Sequence, residues 1–145
     1  MKNKTLVTWL SLVLGPLGIN RFYMFGLKDA WGWVLMVMTL LGLYGFERAD
    51  SMGMDDPLSW LLLPVLGLSI AASALHGLTW GLMSAETWNQ LYNPHADPQD
   101  RAGLTNWFTI FALVLSMVIG TIALLSSLAY GFQRYFESQI TETER

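Results

Sequence analysis

The chain has 145 residues, of which 53% are apolar and only 13% charged, with a net charge of −3. Soluble domains carry about 25% charged residues and need polar surface to cover a core of this size, so a water-soluble globule does not fit. Cysteine is absent, which excludes disulfides, thiolate metal sites and cysteine nucleophiles, and no basic cluster is present to hold nucleic acid.

Four segments contain no Asp, Glu, Lys or Arg: Thr5–Asn20, Ala30–Phe46, Pro57–Ala85 and Ala102–Gln133. A spanning helix needs about 20 mostly apolar residues, with a range of about 17–25. Leu61–Leu68 and Phe108–Ile119 are continuously apolar rather than alternating with period two, which argues for helices and against a membrane barrel. The expectation is an all-α polytopic membrane protein with four transmembrane helices arranged as two hairpins. The first hairpin covers residues 1–50; the second covers 51–145 and carries a polar C-terminal tail.

The first span is predicted over Thr5–Gly18. At 16 charge-free residues its run is short, and Lys2 and Lys4 can snorkel at one end with Arg21 or Lys28 at the other. A signal peptide is the rival reading, with Lys2 and Lys4 as its basic region. Arg21-Phe22-Tyr23 follows where a small-residue cleavage site would be needed, so a retained helix is preferred. Gly15, Pro16 and Gly18 should end or kink it. A tight loop, Asn20 to Asp29, leads into the second span over Ala30–Phe46, which has Trp31 and Trp33 at its start as interfacial aromatics.

Glu47–Asp56 is an acidic loop. Pro57 suits a first helical turn, with Asp55 or Asp56 as N-cap, and the third span lies within Pro57–Met83, bent near Pro64. Glu86–Arg101 is a polar connection containing Pro94 and Pro98. The fourth span lies within Leu104–Tyr130, followed by a frayed helical tail, Gly131–Arg145. Four spans put both termini on one side. Lys2, Lys4, Arg48, Arg134 and Arg145 then oppose Arg21, Lys28 and Arg101, which favours cytoplasmic termini. The lack of an obvious targeting extension suggests a bacterial inner membrane.

Gly15-Pro16-Leu17-Gly18-Ile19-Asn20-Arg21-Phe22-Tyr23, then Gly26, then an apolar run, resembles the TM-two domain, a pair of membrane helices joined by a short loop. Asn20 stands where that family usually has His or Asp, and Met24-Phe25 lengthens the step to Gly26. The resemblance covers about Met1 to Phe46 and implies a membrane hairpin; it carries little mechanism. On the residues alone, Gly15 and Gly18 allow close backbone packing. Arg21 can cap helix-end carbonyls or grip a lipid phosphate, Lys28 can add a second phosphate contact, and Phe22 and Tyr23 anchor the loop at headgroup depth. A rigid turn without a ligand is the plainer reading, and lipid or partner recognition the sharper one.

His76 is the one titratable side chain well inside a span, and so a candidate haem ligand, quinone contact or proton relay. A bis-His haem needs a second His at matching depth, and His95 lies in a loop. A neutral His bonded to Ser73 or to another helix is the plain alternative. The acidic groups Asp50, Asp55 and Asp56, and His95, Asp97 and Asp100, lack the spacing of a Ca²⁺ loop. No nucleophile elbow, phosphate-binding loop or His-Glu-x-x-His appears, so neither an enzyme nor a bound cofactor or metal is expected.

Ser69, Ser73, Gly77 and Gly81 recur every fourth residue, and Ala112, Ser116 and Gly120, then Ala123, Ser127 and Gly131, do the same on the fourth span. Such stripes let helices approach closely in lipid. They serve either packing between the last two spans or docking of another membrane protein. The function expected is a non-catalytic accessory or assembly subunit of a larger membrane complex, in contact with lipids and with other membrane proteins or copies of itself. A small oligomeric transporter or channel, or a redox protein using His76, are the alternatives.

Overall fold

A computed structural model describes residues 1–144. Every regular element among them is helical: α1 (Lys4–Val13), a 3₁₀ turn (Gly15–Leu17), α2 (Ile19–Phe25), α3 (Ala30–Met52), α4 (Pro57–Gly81), α5 (Ala85–Tyr92), a second 3₁₀ turn (Arg101–Gly103) and α6 (Trp107–Thr143). Three of them, α3, α4 and α6, are long and apolar enough to cross a membrane.

The expected first span does not reach that length. α1 has ten residues, about 15 Å at 1.5 Å per residue, against a hydrocarbon core of about 30 Å. Gly15-Pro16-Leu17 stops it, and Gly18 (φ 74°) reverses the chain into α2. α2 then runs back beside α1: Asn20 Nδ2 donates to Ser11 Oγ at 3.0 Å, and the Asn3 N–H reaches the Tyr23 hydroxyl at 3.4 Å. The stretch read as a tight loop, Asn20 to Asp29, is thus largely helix. Two full hairpins are replaced by a short helical hairpin plus three long helices.

α4 is the central rod. Its stripe is buried and faces α1, the first 3₁₀ turn, α3 and α6 together. A side chain added at Gly81 would meet Thr8 and Leu113, and one at Gly77 would meet Ser11 and Ser116. One added at Gly15 would meet Ser73. Ser69 Oγ and the Thr39 hydroxyl lie 3.0 Å apart. Ala112 and Ser116 on α6 are fully buried, and Gly120 approaches Ala74. Packing between the last two long helices therefore accounts for only part of the stripe; the short hairpin and Thr39 of α3 take the rest. On the other side of α4, Gly42 and Gly45 of α3 lie against the backbone of Leu66 and Leu62. Helix α4 passes through Pro64 without a break.

α3 and α6 both pack on α4 and hardly on each other. The groove between them is filled along half its length by α1 and the 3₁₀ turn. The Thr39 hydroxyl, about 14 Å into α3, donates to the Pro16 carbonyl at the tip of this plug. Val7, Thr8 and Ser11 are fully buried, so the first run is part of the bundle's interior.

With three long helices, Lys4 and Thr143 lie at opposite ends of the bundle, whereas the four spans expected from the sequence would bring both ends to one side. The Lys4 ammonium, fully buried, donates to the Met83 carbonyl beyond α4 and to the Thr105 hydroxyl, both at 2.7 Å. Asn93 brackets Lys2, and the Trp88 indole donates to the Lys2 carbonyl at 3.0 Å, so α5 and its loop cover this end. The far end of α6 lies beside the α3–α4 turn, where Arg134 meets Asp55 at 3.4 Å. α6 continues as regular helix to Thr143, well beyond the predicted span.

Candidate functional site

Of the loop residues chosen from the sequence, Arg21 converges with His76, chosen for a separate reason. Arg21 sits in the first turn of α2. Its Nε and Nη2 donate to the two oxygens of Asp29 at 2.6 and 3.0 Å, a forked pairing with both side chains largely buried (15% and 13% exposed). Asp29 is also the N-cap of α3, accepting from the Gly32 N–H at 2.8 Å. The third nitrogen of Arg21, Nη1, lies 3.4 Å from His76 Nε2, and the guanidinium covers the Phe25 ring at 4.9 Å. His76 stacks on Trp80, with ring centroids 5.4 Å apart.

These contacts take up the chemistry that the sequence left open. The Arg21 fork is engaged by Asp29. Ser73, the partner considered for His76, instead donates to the Ile70 carbonyl. A haem iron needs a ring nitrogen with open space before it; Nε2 faces the Arg21 guanidinium, and Nδ1 is buried with no partner among the described residues. Phe22 packs across Gly32 and tilts against Trp33 at 5.3 Å, so it locks α2 onto α3 more than it anchors to a surface. Tyr23 and Lys28 are exposed, as is Lys28's neighbour Leu27. The Arg21 hydrogen bond holds the Asp29 carboxyl below its ordinary range, reinforced by the Gly32 N–H.

The same device recurs 27 residues later. Arg48 Nε and Nη2 fork onto Asp56 at 2.8 Å each, and Asp56 caps α4 by accepting from the Ser59 N–H at 3.0 Å. Gly26 and Gly53 both have positive φ (83° and 92°) and close the preceding helix. The Trp33 indole donates to the Leu27 carbonyl and the Trp60 indole to the Met54 carbonyl, both at 2.9 Å. Arg-x₄-Gly-x₂-Asp-x₃-Trp is therefore one turn used twice, at residues 21–33 and 48–60. Sequence reasoning missed Asp29, Arg48, Trp33 and Trp60 as members of a motif, although the four identities at one spacing were the available signal. Of the two acids considered as the α4 cap, Asp56 is the one used. Arg48, then Ser59, holds its carboxyl well below the usual carboxylate range.

Most polar side chains of the interior bond one another or nearby carbonyls; Ser116 Oγ, like His76 Nδ1 and the Tyr130 hydroxyl, has no partner among the described residues. Thr8 and Ser11 donate to the carbonyls of Lys4 and Val7, and Asn20 bonds Ser11. Asn20, at the position where the TM-two pattern has His or Asp, is thus a buried strut between α1 and α2. Among the described residues no group of three or more His, Asp or Glu is placed to hold a metal ion. Asp97 and Asp100 each accept from a backbone N–H two residues on, at 2.7 and 2.9 Å.

Compared with known proteins, the chain matches no family model, no curated protein and no solved structure.

Proposed function

We propose that this chain is a non-catalytic integral membrane protein that acts as an accessory or assembly subunit of a larger membrane complex. The observation that carries the reading is how its buried polar groups are used. Lys4, Thr8, Ser11, Asn20, Thr39 and Ser69 are joined to each other or to backbone, and both forked Arg–Asp pairs fix turns between helices. In lipid such bonds hold helices in one arrangement. A transport path needs polar groups that reach water or a substrate in turn, and these are committed to structure. The same holds for a redox role of His76, whose ring is covered by Trp80 and Arg21.

In this reading α3, α4 and α6 cross the bilayer. The short hairpin enters from the N-terminal face, turns near the midplane at Gly15–Gly18 and returns to the same face. Irregular backbone at that depth is tolerated where protein buries it, as Ser73 and Gly32 do here. Lys2, Lys4, Arg21, Lys28 and Arg101 lie toward the N-terminal face and, among the described residues, Arg48 and Arg134 toward the other, which favours a cytoplasmic N-terminus. The inner membrane of a bacterium and kinship with the TM-two hairpin, redrawn as a half-membrane plug, belong to the same proposal.

Purification from native membranes in mild detergent tests the function. A membrane protein recovered in fixed stoichiometry, and lost after disruption of the exposed outer face of α3 (Val37→Lys), supports it. A protein that runs alone and conducts ions or solutes in liposomes overturns it.

A further inference from the structure

The unfilled half of the groove between α3 and α6 is a cleft of about 640 Å³. Its floor is α4: Leu66 and Ile70 continue, at helical spacing, the stripe whose other end, Ser73 to Gly81, receives the short hairpin. Phe46 and Ala49 of α3 and Ala123, Ser126, Ser127 and Tyr130 of α6 make the walls. From the turn at Gly53 to Ile70 the cleft reaches about 20 Å along α4, into the apolar belt.

We infer that this cleft binds one acyl chain of a zwitterionic phospholipid whose headgroup carries a primary ammonium, a phosphatidylethanolamine. Three observations select that occupant. The first is size. A helix about 10 Å across would need roughly 1,200 Å³ to lie along half a bilayer, about twice what is open, whereas apolar ligand sites run about 300–1,000 Å³. The second is the polar step where chain meets headgroup. The Tyr130 hydroxyl is buried there and makes no hydrogen bond of good geometry among the described residues, with the Arg134 guanidinium 5.6 Å from the ring centroid. It can donate to a lipid ester carbonyl. The third is charge. Asp50 is exposed at the mouth and, among the described residues, forms no ion pair, while Arg48 is held by Asp56 and Arg134 by Glu137 and Asp55. The open charge is negative, so it favours an ammonium and disfavours an anionic lipid.

The test is native mass spectrometry of the full chain released from nanodiscs of equimolar dioleoyl phosphatidylethanolamine and dioleoyl phosphatidylglycerol. One retained lipid per chain is expected, with the ethanolamine lipid favoured about 1.5- to five-fold, the range of one exposed charge contact. Asp50→Asn, at an exposed site remote from packing, should abolish the preference and keep the lipid. Ser126→Trp should remove retention of both lipids. No retained lipid, an unchanged preference in Asp50→Asn, or a second copy of the chain joined by a disulfide through Ser126→Cys in place of lipid each overturns the inference. Failure to find a partner complex would leave these readouts unaffected, so the two proposals fail separately.

Discussion

Arg21 and Asp29 grip one another across the turn from α2 to α3 through two parallel N–H···O bonds, and the same carboxylate caps the helix that follows. One side chain thus closes the turn, satisfies a helix N-terminus and holds the cation that stands before His76. A pair this well enclosed contributes more than an exposed ion pair, because removing one partner strands the other away from water. Arg21→Ala and Asp29→Asn are each expected to destabilise the protein by about 1–3 kcal/mol, with the double variant costing clearly less than the sum. Arg48 is more open (24% exposed), so the equivalent pair at Arg48 and Asp56 should couple more weakly. Thermal unfolding in detergent across both double-mutant cycles measures this. Additive effects at Arg21 and Asp29 would show that the fork is incidental.

Both carboxylates are held below their ordinary range by their arginines, which fixes the sign of a pH effect. A group whose folded pKa is depressed contributes stability that is complete above its unfolded value, about 3.9 for Asp, and is lost as pH falls through the folded value. The clasps should therefore add nothing pH-dependent between pH 7 and 5, and melting temperature should fall below about pH 4. Asp29→Asn and Asp56→Asn should each flatten that acid limb while lowering the neutral plateau. An acid limb unchanged in the double variant would place the titration elsewhere.

Much of this architecture was legible because lipid imposes simple rules. Long charge-free runs mark α3, α4 and α6; Asp56 before Pro57 marks the start of α4; the fourfold spacing from Ser69 to Gly81 marks a packed face. The short hairpin was not legible for a definable reason. Hydropathy over Thr5–Asn20 continues through Gly15-Pro16-Leu17-Gly18, so the run reads as one rod. Whether the chain continues or folds back is decided by partners distant in sequence: Ser73 against Gly15, Gly32 against Gly18 and Thr39 on the Pro16 carbonyl. Arg21 was read as open to phosphate because its partner lies eight residues on, across a turn, beyond the three- and four-residue spacings at which helical side chains meet. Only the recurrence of the pattern at Arg48 would have exposed the pairing.

Gly18 carries the reversal, and it does so under two constraints. Its φ of 74° is left-handed, and a Cβ there would run into the backbone carbonyl of Gly32. Backbone cannot move aside as a flexible side chain can, so strain of about 1–2 kcal/mol adds to an overpacking term of about 1–3. Gly18→Ala should prevent the hairpin from seating and expose α1 to protease. Gly26 provides the control: φ is 83°, but nothing lies within 4 Å of its Cβ position. Gly26→Ala should cost only the backbone term, about 1–3 kcal/mol for its extended ψ, and keep the hairpin protected. Equal protease sensitivity in the two variants would mean that the contact with Gly32 does not decide the fold.

The number of crossings can be read directly, since the chain has no cysteine and single thiols can be introduced without background. One span, α3, separates the two turns that carry the repeated motif. Lys28, exposed beside Asp29, belongs to the end that holds Lys4, Asn93 and α5; Asp55, fully exposed beside Asp56, belongs to the end where α6 finishes. In sealed, oriented vesicles Lys28→Cys and Gln99→Cys should react with a membrane-impermeant maleimide from one side, and Asp55→Cys and Glu142→Cys from the other. Asn3→Cys decides between the two architectures: a short hairpin puts it with Lys28, whereas a first helix that spans puts it with Asp55. Labelling of Asn3→Cys from the Asp55 side would require α1 and its turn to cross the bilayer, which about 15 Å of helix cannot do without unfolding the contacts of Gly15 and Pro16.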